Sequence, residues 1–397
     1  MAGRSSSDIS RSILGVAFCF LALNSIWARG AGSPKLSADE VDALRLIAKA
    51  LKKTNWDFSV DPCSGRRDWS VPNPIKGMES TVDCDCSFNN SSVCHTVTVW
   101  LKGQNLTGVL PPEFARLRHL RQLDLSRNLL NGTVPPQWAT MQLQGLSLMG
   151  NRLSGPFPKA VTNITTLTNL SIEANLFSGP LPTELGNLVH MDKLVISSND
   201  FTGELPASLA KLTNLTDLRI SDNNFSGRIP DFIGKLTKLE KLLIQGSSLE
   251  GSIPNSISAL TSLTDLRISD LRGRPSRFPD LEEMESLKTV ILRNCSIHGS
   301  IPDYVGEMKH LKNIDLSFNK LIGEIPKNFD KLGKVDFMYL TGNRLTGPIP
   351  EWILTRNKNA YVGHALIFMK TESIFSIVMF QSFRQTIPAP LSVQCLE

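Results

Sequence analysis

A single pattern of about 24 residues recurs from Val97 onward, and it constrains the fold of this 397-residue chain more than any other feature. Each copy reads Leu-x-Leu-x-x-Asn-x-Leu-x-Gly-x-Ile-Pro, with another leucine about three residues earlier. The intervals between successive pattern glycines are 24 residues, apart from one of 23 and one double step of 48. A fixed period of this length indicates stacked structural repeats. The glycines are Gly108, Gly132, Gly155, Gly179, Gly203, Gly227, Gly251, Gly299, Gly323 and Gly347.

Each repeat contains one short strand, such as residues 218–220, whose alternate side chains point toward a core that one repeat cannot close alone. Stacking about eleven 24-residue repeats closes that core, so the sequence predicts an α/β solenoid. An asparagine lies four residues before most pattern glycines, where a buried amide can both donate to and accept from neighbouring backbone. We therefore expect these asparagines to point inward. They are Asn128, Asn151, Asn175, Asn199, Asn223, Asn319 and Asn343.

Three consecutive repeats carry Ser247, Leu271 and Cys295 at the asparagine position. Cysteine is an accepted substitute there, so Cys295 is expected to be a buried structural thiol rather than a nucleophile. Leucine cannot make the amide hydrogen bonds, Pro275 occupies the glycine position, and the next proline arrives one residue late. These features predict a distorted loop from Leu271 to Pro279, which is either a tolerated irregularity or a specialised surface.

The first 30 residues have a weakly basic start, an apolar run from Ile13 to Leu23 and small residues before a possible cleavage point, which is typical of a secretory signal peptide. The run is too short for a bilayer span, which needs about 20 residues, so we expect secretion. The formal net charge of +5 gives no case for nucleic-acid binding. The predicted organisation is a signal peptide (1–30), an N-terminal cap (31–96), repeats (97–359) and a poorly ordered tail (360–397).

Four cysteines of the cap lie within 32 residues, at Cys63, Cys84, Cys86 and Cys94. Secretion favours two disulfides among them, although the sequence does not select one of the three possible pairings. The alternative is a zinc site that includes His95, but a single residue between two ligands is not the usual zinc spacing. Ahead of the cluster, Ser37 and Glu40 have capping-box spacing, and the apolar periodicity predicts a helix over residues 38–52 that covers the first repeat together with Trp56 and Trp69.

The repeat form Asn-x-Leu-x-Gly-x-Ile-Pro resembles the plant extracellular class of leucine-rich repeats, which implies a right-handed superhelix. More closely, the segments at 266–273, 292–295, 338–343 and 352–354 are similar to the ectodomain of plant receptor-like serine/threonine kinases that carry a malectin-like domain. Those segments read Leu-Arg-Ile-Ser-Asp-Leu-Arg-Gly, Leu-Arg-Asn-Cys, Met-Tyr-Leu-Thr-Gly-Asn and Trp-Ile-Leu. The similarity covers roughly residues 36–359. It implies a ligand- or partner-binding ectodomain, and in that family the distorted repeat is a shared feature.

The pattern stops after Asn359, and residues 360–397 show no repeat register, no malectin-length segment and no kinase motif. This chain is therefore expected to lack the signalling half of its relatives and not to be an enzyme. An apolar stretch from Ala365 to Phe380 is interrupted by Lys370 and Glu372, so no membrane span is expected there. Cys395 is expected to be an unpaired thiol.

A column of side chains between the inward strand positions should line the concave face, with neighbouring strands about 4.8 Å apart. Part of this column alternates apolar groups with guanidinium groups, a combination that recognition surfaces favour. We call it the concave stripe and expect it to bind a peptide, an oligosaccharide or a co-receptor ectodomain. Alternatively, Asp217 and Asp265 make only screened surface pairs with its arginines. The concave stripe comprises Val195, Arg219, Leu243, Arg267 and Ile291.

Nine Asn-x-Ser/Thr sequons predict N-glycans on a secreted surface. A glycan on Asn169, which lies on the concave face beside Ser171, would confine a ligand to the later repeats. The sequons begin at Asn89, Asn90, Asn105, Asn131, Asn163, Asn169, Asn214, Asn224 and Asn294.

A secreted inhibitor of microbial wall-degrading enzymes is the alternative function, because plant polygalacturonase-inhibiting proteins have about the same length and repeat type. Those inhibitors end in a cysteine-stapled cap, whereas this chain offers only Cys395 near its end. The six histidines have no metal-ligand spacing, so no metal site, cofactor or catalytic residue is expected. They are His95, His119, His190, His298, His310 and His364.

Overall fold

The computed structural model describes residues 34–66, 69–70, 75–348 and 350, together with the backbone of two short strands in the tail. These strands, Ile367–Thr371 and Ile374–Val378, pair antiparallel with each other. The predicted signal peptide, Cys395 and the remainder of the tail lie outside the described residues.

The first helix of the cap is α1 (Ala38–Ala50), close to the predicted span. Its buried face contains Leu44 and Ile47, which recur at helical spacing and pack against the first repeat. The expected capping box is wrong, because the Ser37 side chain makes no capping hydrogen bond. Glu40 is instead buried, and its carboxylate accepts a hydrogen bond from the Thr96 backbone N–H at 2.8 Å. Glu40 therefore ties α1 to the first strand of the array rather than closing the end of its own helix.

Two disulfides link the elements of the cap. Cys63, in the 3-10 turn Pro62–Ser64, is bonded to Cys84 of the strand Ser80–Ser87, and Cys86 of that strand is bonded to Cys94 of the strand Val93–Leu101. Of the three pairings that the sequence left open this is the one found, and the thiolates are not available to bind zinc. The rings of Trp56 and Trp69 lie 4.9 Å apart between their centroids and are both buried, as expected for residues that cover the end of the core.

The repeats contribute one strand each to a parallel sheet that lines the concave face. Its pairing is in register from one repeat to the next, which confirms the solenoid prediction. In chain order this sheet contains β1 (Lys35–Leu36), β3 (Val93–Leu101), β5 (Gln122–Asp124), β7 (Gly145–Ser147), β9 (Asn169–Ser171), β11 (Lys193–Val195), β13 (Asp217–Arg219), β15 (Lys241–Ile244), β16 (Asp265–Ser269), β18 (Thr289–Arg293), β20 (Asn313–Asp315) and β22 (Phe337–Tyr339), with β2 (Ser80–Ser87) antiparallel to β3.

A second set of short strands follows the asparagine position of most repeats and forms two separate sheets. One contains β4 (Thr107–Val109), β6 (Leu129–Gly132), β8 (Arg152–Gly155), β10 (Leu176–Pro180), β12 (Asp200–Gly203) and β14 (Asn224–Phe225). The other contains β17 (Ser276–Arg277), β19 (Ile297–Gly299), β21 (Lys320–Gly323) and β23 (Arg344–Leu345).

The convex side of most repeats is a short 3-10 helix that begins just after the pattern proline, whose fixed φ suits the entry to a helical turn. These helices are Pro112–Arg116, Pro136–Thr140, Thr183–Asn187, Ala207–Lys211, Asp231–Lys235, Asn255–Ala259, Asp303–Glu307 and Lys327–Lys331. The remaining helical segments are a 3-10 turn in the cap (Pro62–Ser64), α2 (Phe88–Ser91) and α3 (Lys159–Thr162).

The asparagines form a ladder of buried amides along the array, as predicted. Asn199 is typical, because its Nδ2 donates to the carbonyl oxygens of Ile172, Ile196 and Ser197 at 3.0–3.2 Å. Its Oδ1 accepts from the Phe177 backbone N–H at 3.1 Å. Each amide thus satisfies the backbone of its own repeat and of the preceding one, which makes its burial tolerable. We call these residues the asparagine ladder.

The ladder is interrupted in the three repeats that the sequence singled out. The Ser247 hydroxyl is buried without a hydrogen-bond partner among the described residues, and Leu271 is an apolar core residue. Between β14 and β17 the second sheet is replaced by isolated bridges of Glu250 with Arg228 and with Arg272. The distortion predicted between residues 271 and 279 is therefore the point at which the second sheet divides.

Cys295 restores part of the ladder. Its thiol is buried and lies 3.4 Å from the Ile268 carbonyl oxygen and 3.2 Å from that of Arg293, so that it replaces the amide as a donor. Burial raises the pKa of the thiol to about 12. Cys295 is therefore a structural thiol, as expected, because it is neutral and inaccessible at physiological pH.

Candidate functional site

The concave stripe is continuous across five neighbouring strands. Val195 is in register with Arg219, Arg219 with Leu243, Leu243 with Arg267, and Arg267 with Ile291. All five side chains are partly exposed, since alternate residues of each strand point away from the core. The structure thus places the predicted residues side by side on one face. Their role in binding remains a proposal.

Each arginine of the concave stripe is held by an aspartate two residues earlier on its own strand. Arg219 donates from Nε and Nη2 to the two carboxylate oxygens of Asp217, both at 2.8 Å. Arg267 makes the same fork with Asp265 at 2.7 and 2.9 Å. A bidentate pair of this kind fixes the guanidinium plane and leaves its other edge free to donate to a ligand.

The two pairs differ in their burial. The side chain of Asp217 is 7% exposed, whereas that of Asp265 is 19% exposed. Lys241 Nζ adds a second cation 4.0 Å from Asp217. The alternative in which both aspartates make only screened surface pairs therefore does not describe Asp217, because a nearly buried carboxylate depends on its partner.

A hollow of about 330 Å³ adjoins the last residues of the concave stripe. Ile291, Phe337 and Tyr339 form an apolar and aromatic wall, while Arg267 and Asp315 place opposite charges at its sides. An aromatic anchor site next to fixed polar groups is the usual composition of a small recognition pocket. Tyr339 continues the register of the concave stripe through Asp315. The sequence did not predict this hollow, since its size depends on how neighbouring side chains leave space.

A larger hollow of about 590 Å³ lies on the earlier repeats of the same face. It is more polar, with Lys102, Asp124 and Asn169 among its lining residues. Lys102 Nζ lies 3.2 Å from Asp124 and 5.2 Å from the ring centre of Trp100. Gly145 and two serines supply no bulk here, which explains the space.

Asn169, the sequon on the concave face, is half-buried, and its Nδ2 donates to Thr168 Oγ1 at 3.0 Å. The side chain of Asn90 is not described. The remaining sequon asparagines are exposed, which is compatible with modification; they are Asn89, Asn105, Asn131, Asn163, Asn214, Asn224 and Asn294. Glycosylation at all nine positions stays a prediction.

The pKa values of Glu173 and Arg219 are shifted by burial and by neighbouring charges. Burial raises the pKa of Glu173, and the charge of Arg219 partly opposes that shift. Hydrogen bonding to Asp217 raises the pKa of Arg219, so this guanidinium is charged at every physiological pH. The centre of the face therefore presents fixed, mutually neutralising charges rather than a strong field of one sign.

Two of the six histidines come together where the cap meets the first repeat. The rings of His95 and His119 lie 4.1 Å apart, and His95 Nδ1 is hydrogen-bonded to Glu40 Oε1 at 2.6 Å. Burial and the neighbouring His95 lower the pKa of His119. Within the described ranges, His, Cys, Asp and Glu side chains form no group of three or more that could hold a metal ion. Nor does any helix of the described residues have the length and apolar character to cross a membrane.

Comparison with known proteins supports the repeat assignment directly. Three leucine-rich-repeat family models match, described as a leucine-rich repeat region at residues 174–273 and as leucine-rich repeats at 285–345 and 119–141. These three parts of the chain are therefore leucine-rich repeats. Its repeats correspond to those of plant leucine-rich-repeat receptor-like serine/threonine kinases. A probable kinase of this type from Arabidopsis thaliana is 61% identical over 325 residues, which is 81% of this chain and 32% of the relative.

A second probable kinase from Arabidopsis thaliana is 58% identical over 136 residues, or 34% of this chain and 13% of the relative. The leucine-rich-repeat chain thus spans about a third or less of the length of these two relatives. Among solved structures, the Arabidopsis receptor kinase HAESA ectodomain in complex with an N-terminally extended IDA peptide hormone ligand aligns with a TM-score of 0.68 and 31% identity. That alignment covers 79% of this chain and 51% of the HAESA ectodomain chain. HAESA in complex with IDA and the co-receptor SERK1 aligns with a TM-score of 0.65 and 31% identity, over 80% of this chain and 52% of HAESA.

Proposed function

We propose that this chain is an extracellular ligand-binding ectodomain whose concave stripe receives an extended peptide. The observation that carries the proposal is the pair of arginines, two strands apart, each oriented by its own aspartate and separated by Leu243. A pre-oriented guanidinium loses little freedom when a ligand binds, so its remaining donors can contribute to affinity.

The two hollows give an extended ligand places to anchor beyond the arginines. A peptide that crosses the strands would meet the polar hollow at the earlier repeats and the aromatic hollow at the later ones. The peptide and co-receptor complexes of HAESA make a peptide with a co-receptor the favoured partners of this surface. The kinase relatives favour this function over an inhibitor of wall-degrading enzymes.

A glycan on Asn169 would narrow the choice of subsite. Its attachment point lines the polar hollow, so an occupied sequon would fill that space and leave the later repeats open. We propose that the peptide then binds from Val195 toward Tyr339. We also propose that the repeats themselves catalyse no reaction, so that an ATP-binding assay on this chain gives no signal.

The test is to select peptides from a displayed library on the purified repeats and to measure their affinity for variants. Arg267→Ala should weaken the selected peptides about 30-fold, since loss of an anchoring arginine costs about 2 kcal/mol. Lys235→Ala on the convex side is the matched control and should change affinity less than 2-fold. Selected peptides that bind the Arg267→Ala and Ile291→Ala variants as tightly as the parent would overturn the proposal.

A further inference from the structure

The point at which the second sheet divides exposes a run of arginines. The segment after Leu271 reads Arg-Gly-Arg-Pro-Ser-Arg, and Arg272, Arg274 and Arg277 are all exposed. Arg272 bridges Glu250, so the buried Leu271 lies beside Leu249, and the exposed residues 273–275 form a loop between this bridge and the start of β17. The structure therefore directs three cations outward from one distorted repeat.

These arginines lack the partners that the arginines of the concave stripe have. Among the described residues, no carboxylate lies within 4.0 Å of the guanidinium groups of Arg272, Arg274 or Arg277. Arg219 and Arg267, by contrast, are each forked onto an aspartate. Unpaired guanidinium groups retain all their side-chain donors for an external anion.

The basic surface continues onto the next strands of the second sheet. Arg277 of β17 is in register with His298 of β19, and His298 is in register with Lys320 of β21. Neighbouring strands are about 4.8 Å apart, so the row runs for about 10 Å across the sheet. Glu250 adjoins Arg272 on the other side and limits the surface in that direction. We call Arg272, Arg274, Arg277, His298 and Lys320 the basic edge.

We propose that the basic edge binds a linear acidic polysaccharide of the uronic-acid type. Its carboxylates recur along an extended chain, and arginine recognises carboxylates by bidentate hydrogen bonds. A protein partner would need an apolar, aromatic centre to its interface. The loop has only glycine, proline and serine between its arginines, and the β21 strand of this edge exposes a single large apolar side chain, Ile322. The basic edge therefore lacks the apolar centre that a protein partner would need.

This surface is separate from the concave stripe. Arg267 belongs to the parallel sheet of the concave face, whereas Arg277 belongs to the second sheet. A polysaccharide on the basic edge would thus leave the proposed peptide site free. The two proposals can fail independently, because variants of one surface leave the other intact.

The experiment measures binding of an oligogalacturonate of about twelve residues to the purified glycoprotein at pH 7 and low salt. The test variant carries Arg272→Gln, Arg274→Gln and Arg277→Gln, which are exposed changes and should not affect folding. The matched control carries Lys159→Gln, Lys211→Gln and Lys235→Gln on the convex helices, with the same change in net charge. Circular dichroism checks that both variants are folded. The Arg267→Ala variant is measured alongside them to test whether the concave stripe takes part.

We expect the parent, the control and Arg267→Ala to bind within about 2-fold of one another, and the test variant to bind at least about 10-fold more weakly. Full methyl esterification of the oligogalacturonate should weaken parent binding by at least about 10-fold, and added salt should weaken it progressively. Equal binding by the test variant, or by the methyl ester, would overturn the proposal. Equally tight binding of poly-glutamate of matched length would also overturn it, since the partner would then be an acidic protein segment.

Discussion

The octapeptide Leu-Thr-Asp-Leu-Arg-Ile-Ser-Asp occurs at residues 215–222 and again at 263–270, in two repeats that then diverge. Both copies form a strand of the concave sheet, and both fork the arginine onto the aspartate. The final aspartate has a positive φ in each, 51° at Asp222 and 61° at Asp270. Eight identical residues therefore fold in the same way in two settings.

The two copies differ in the residue that follows each of them, which is Asn223 after the first and Leu271 after the second. Asn223 donates to the Ile196 and Ile220 carbonyl oxygens, and the second sheet continues into β14. Leu271 has no side-chain donor, and in the span from Ser247 to Leu271 the second sheet is reduced to the bridges of Glu250 until β17 begins a new sheet after Leu271. The loss of asparagine at two successive ladder positions thus accompanies the change in the second sheet, while the concave strands on either side stay paired. A repeat protein can in this way alter one sheet and keep the concave face unchanged.

The largest effect should come from making the first copy resemble the second. Asn223→Leu removes three donated hydrogen bonds and the one that its Oδ1 accepts from Phe201. Each buried group left unpaired costs about 1–3 kcal/mol, so the free energy of unfolding should fall by at least about 3 kcal/mol. Chemical denaturation checks this. The exposed Asn255→Leu is the control, and equal losses from both changes would contradict the role of the ladder.

The reverse change should have a smaller effect. Leu271→Asn restores a ladder donor but loses the burial of a leucine, which is worth about 2 kcal/mol. Gly273 and Pro275 still prevent a regular second strand. The free energy of unfolding should therefore change by less than about 1.5 kcal/mol, as measured by the same denaturation. Destabilisation as large as that of Asn223→Leu would show that the two positions are equivalent.

Cys295 tests how far a thiol replaces an amide. Cys295→Ala should lower the free energy of unfolding by about 1–2 kcal/mol, because the Ile268 and Arg293 carbonyl oxygens lose a donor and a small cavity remains. Cys295→Asn should retain at least the parental value. A thiol reagent at pH 8 should label Cys295 only as fast as the protein unfolds, since burial raises its pKa to about 12. Rapid labelling of the folded protein would contradict this account.

The two arginine pairs should differ in stability although their sequences are the same. Arg219→Ala leaves the nearly buried Asp217 carboxylate dependent on Lys241 alone, so it should cost about 1 kcal/mol. Arg267→Ala should cost less than about 0.5 kcal/mol, because Asp265 is more exposed. Thermal unfolding of the two variants, with Asp217→Asn/Arg219→Ala as a partial rescue, measures the difference. Equal losses would show that burial of the aspartate is unimportant.

The smallest effect concerns the pH dependence of stability, and it arises where the cap meets the first repeat rather than in either copy of the octapeptide. The pKa of His119 is lowered in the folded state by burial, by His95 and by Arg121, while Glu40 and Asp85 oppose the shift. Between about pH 6.5 and the lower pKa of the folded state, the unfolded chain therefore binds more protons than the folded one. The free energy of unfolding decreases as the pH falls through this range. His119→Gln should flatten the pH profile of thermal unfolding, whereas the exposed His310→Gln should not. An unchanged profile in His119→Gln would contradict the assignment.

Much of this architecture could be predicted because each pattern residue recurs at the same position in successive repeats. The 24-residue period determined the column that contains Arg219 and Arg267, and the inward asparagines followed from their fixed place before each glycine. The pattern also identified Leu271 as the position of a distortion.

Other features depended on contacts that no local pattern encodes. Glu40 had capping-box spacing but binds Thr96, which is 56 residues away. The pairing of Cys63 with Cys84 required the cap strands to be placed first. Likewise, Asp217 and Asp265 have identical flanking sequence for several residues, so their unequal burial comes from neighbouring repeats.

Hydrogen exchange, resolved repeat by repeat, tests most directly whether the asparagine ladder maintains the second sheet. The Phe201 amide, which donates to Asn223 Oδ1 at 3.1 Å, should be strongly protected, whereas the Arg272 and Ser276 amides should exchange at least about 100-fold faster. The equivalent Asp222 and Asp270 amides, which donate to the Gln245 and Arg293 carbonyl oxygens of the next repeat, should be protected alike. Equal protection of Phe201, Arg272 and Ser276 would contradict the account, because the second sheet would then be as stable without the ladder as with it.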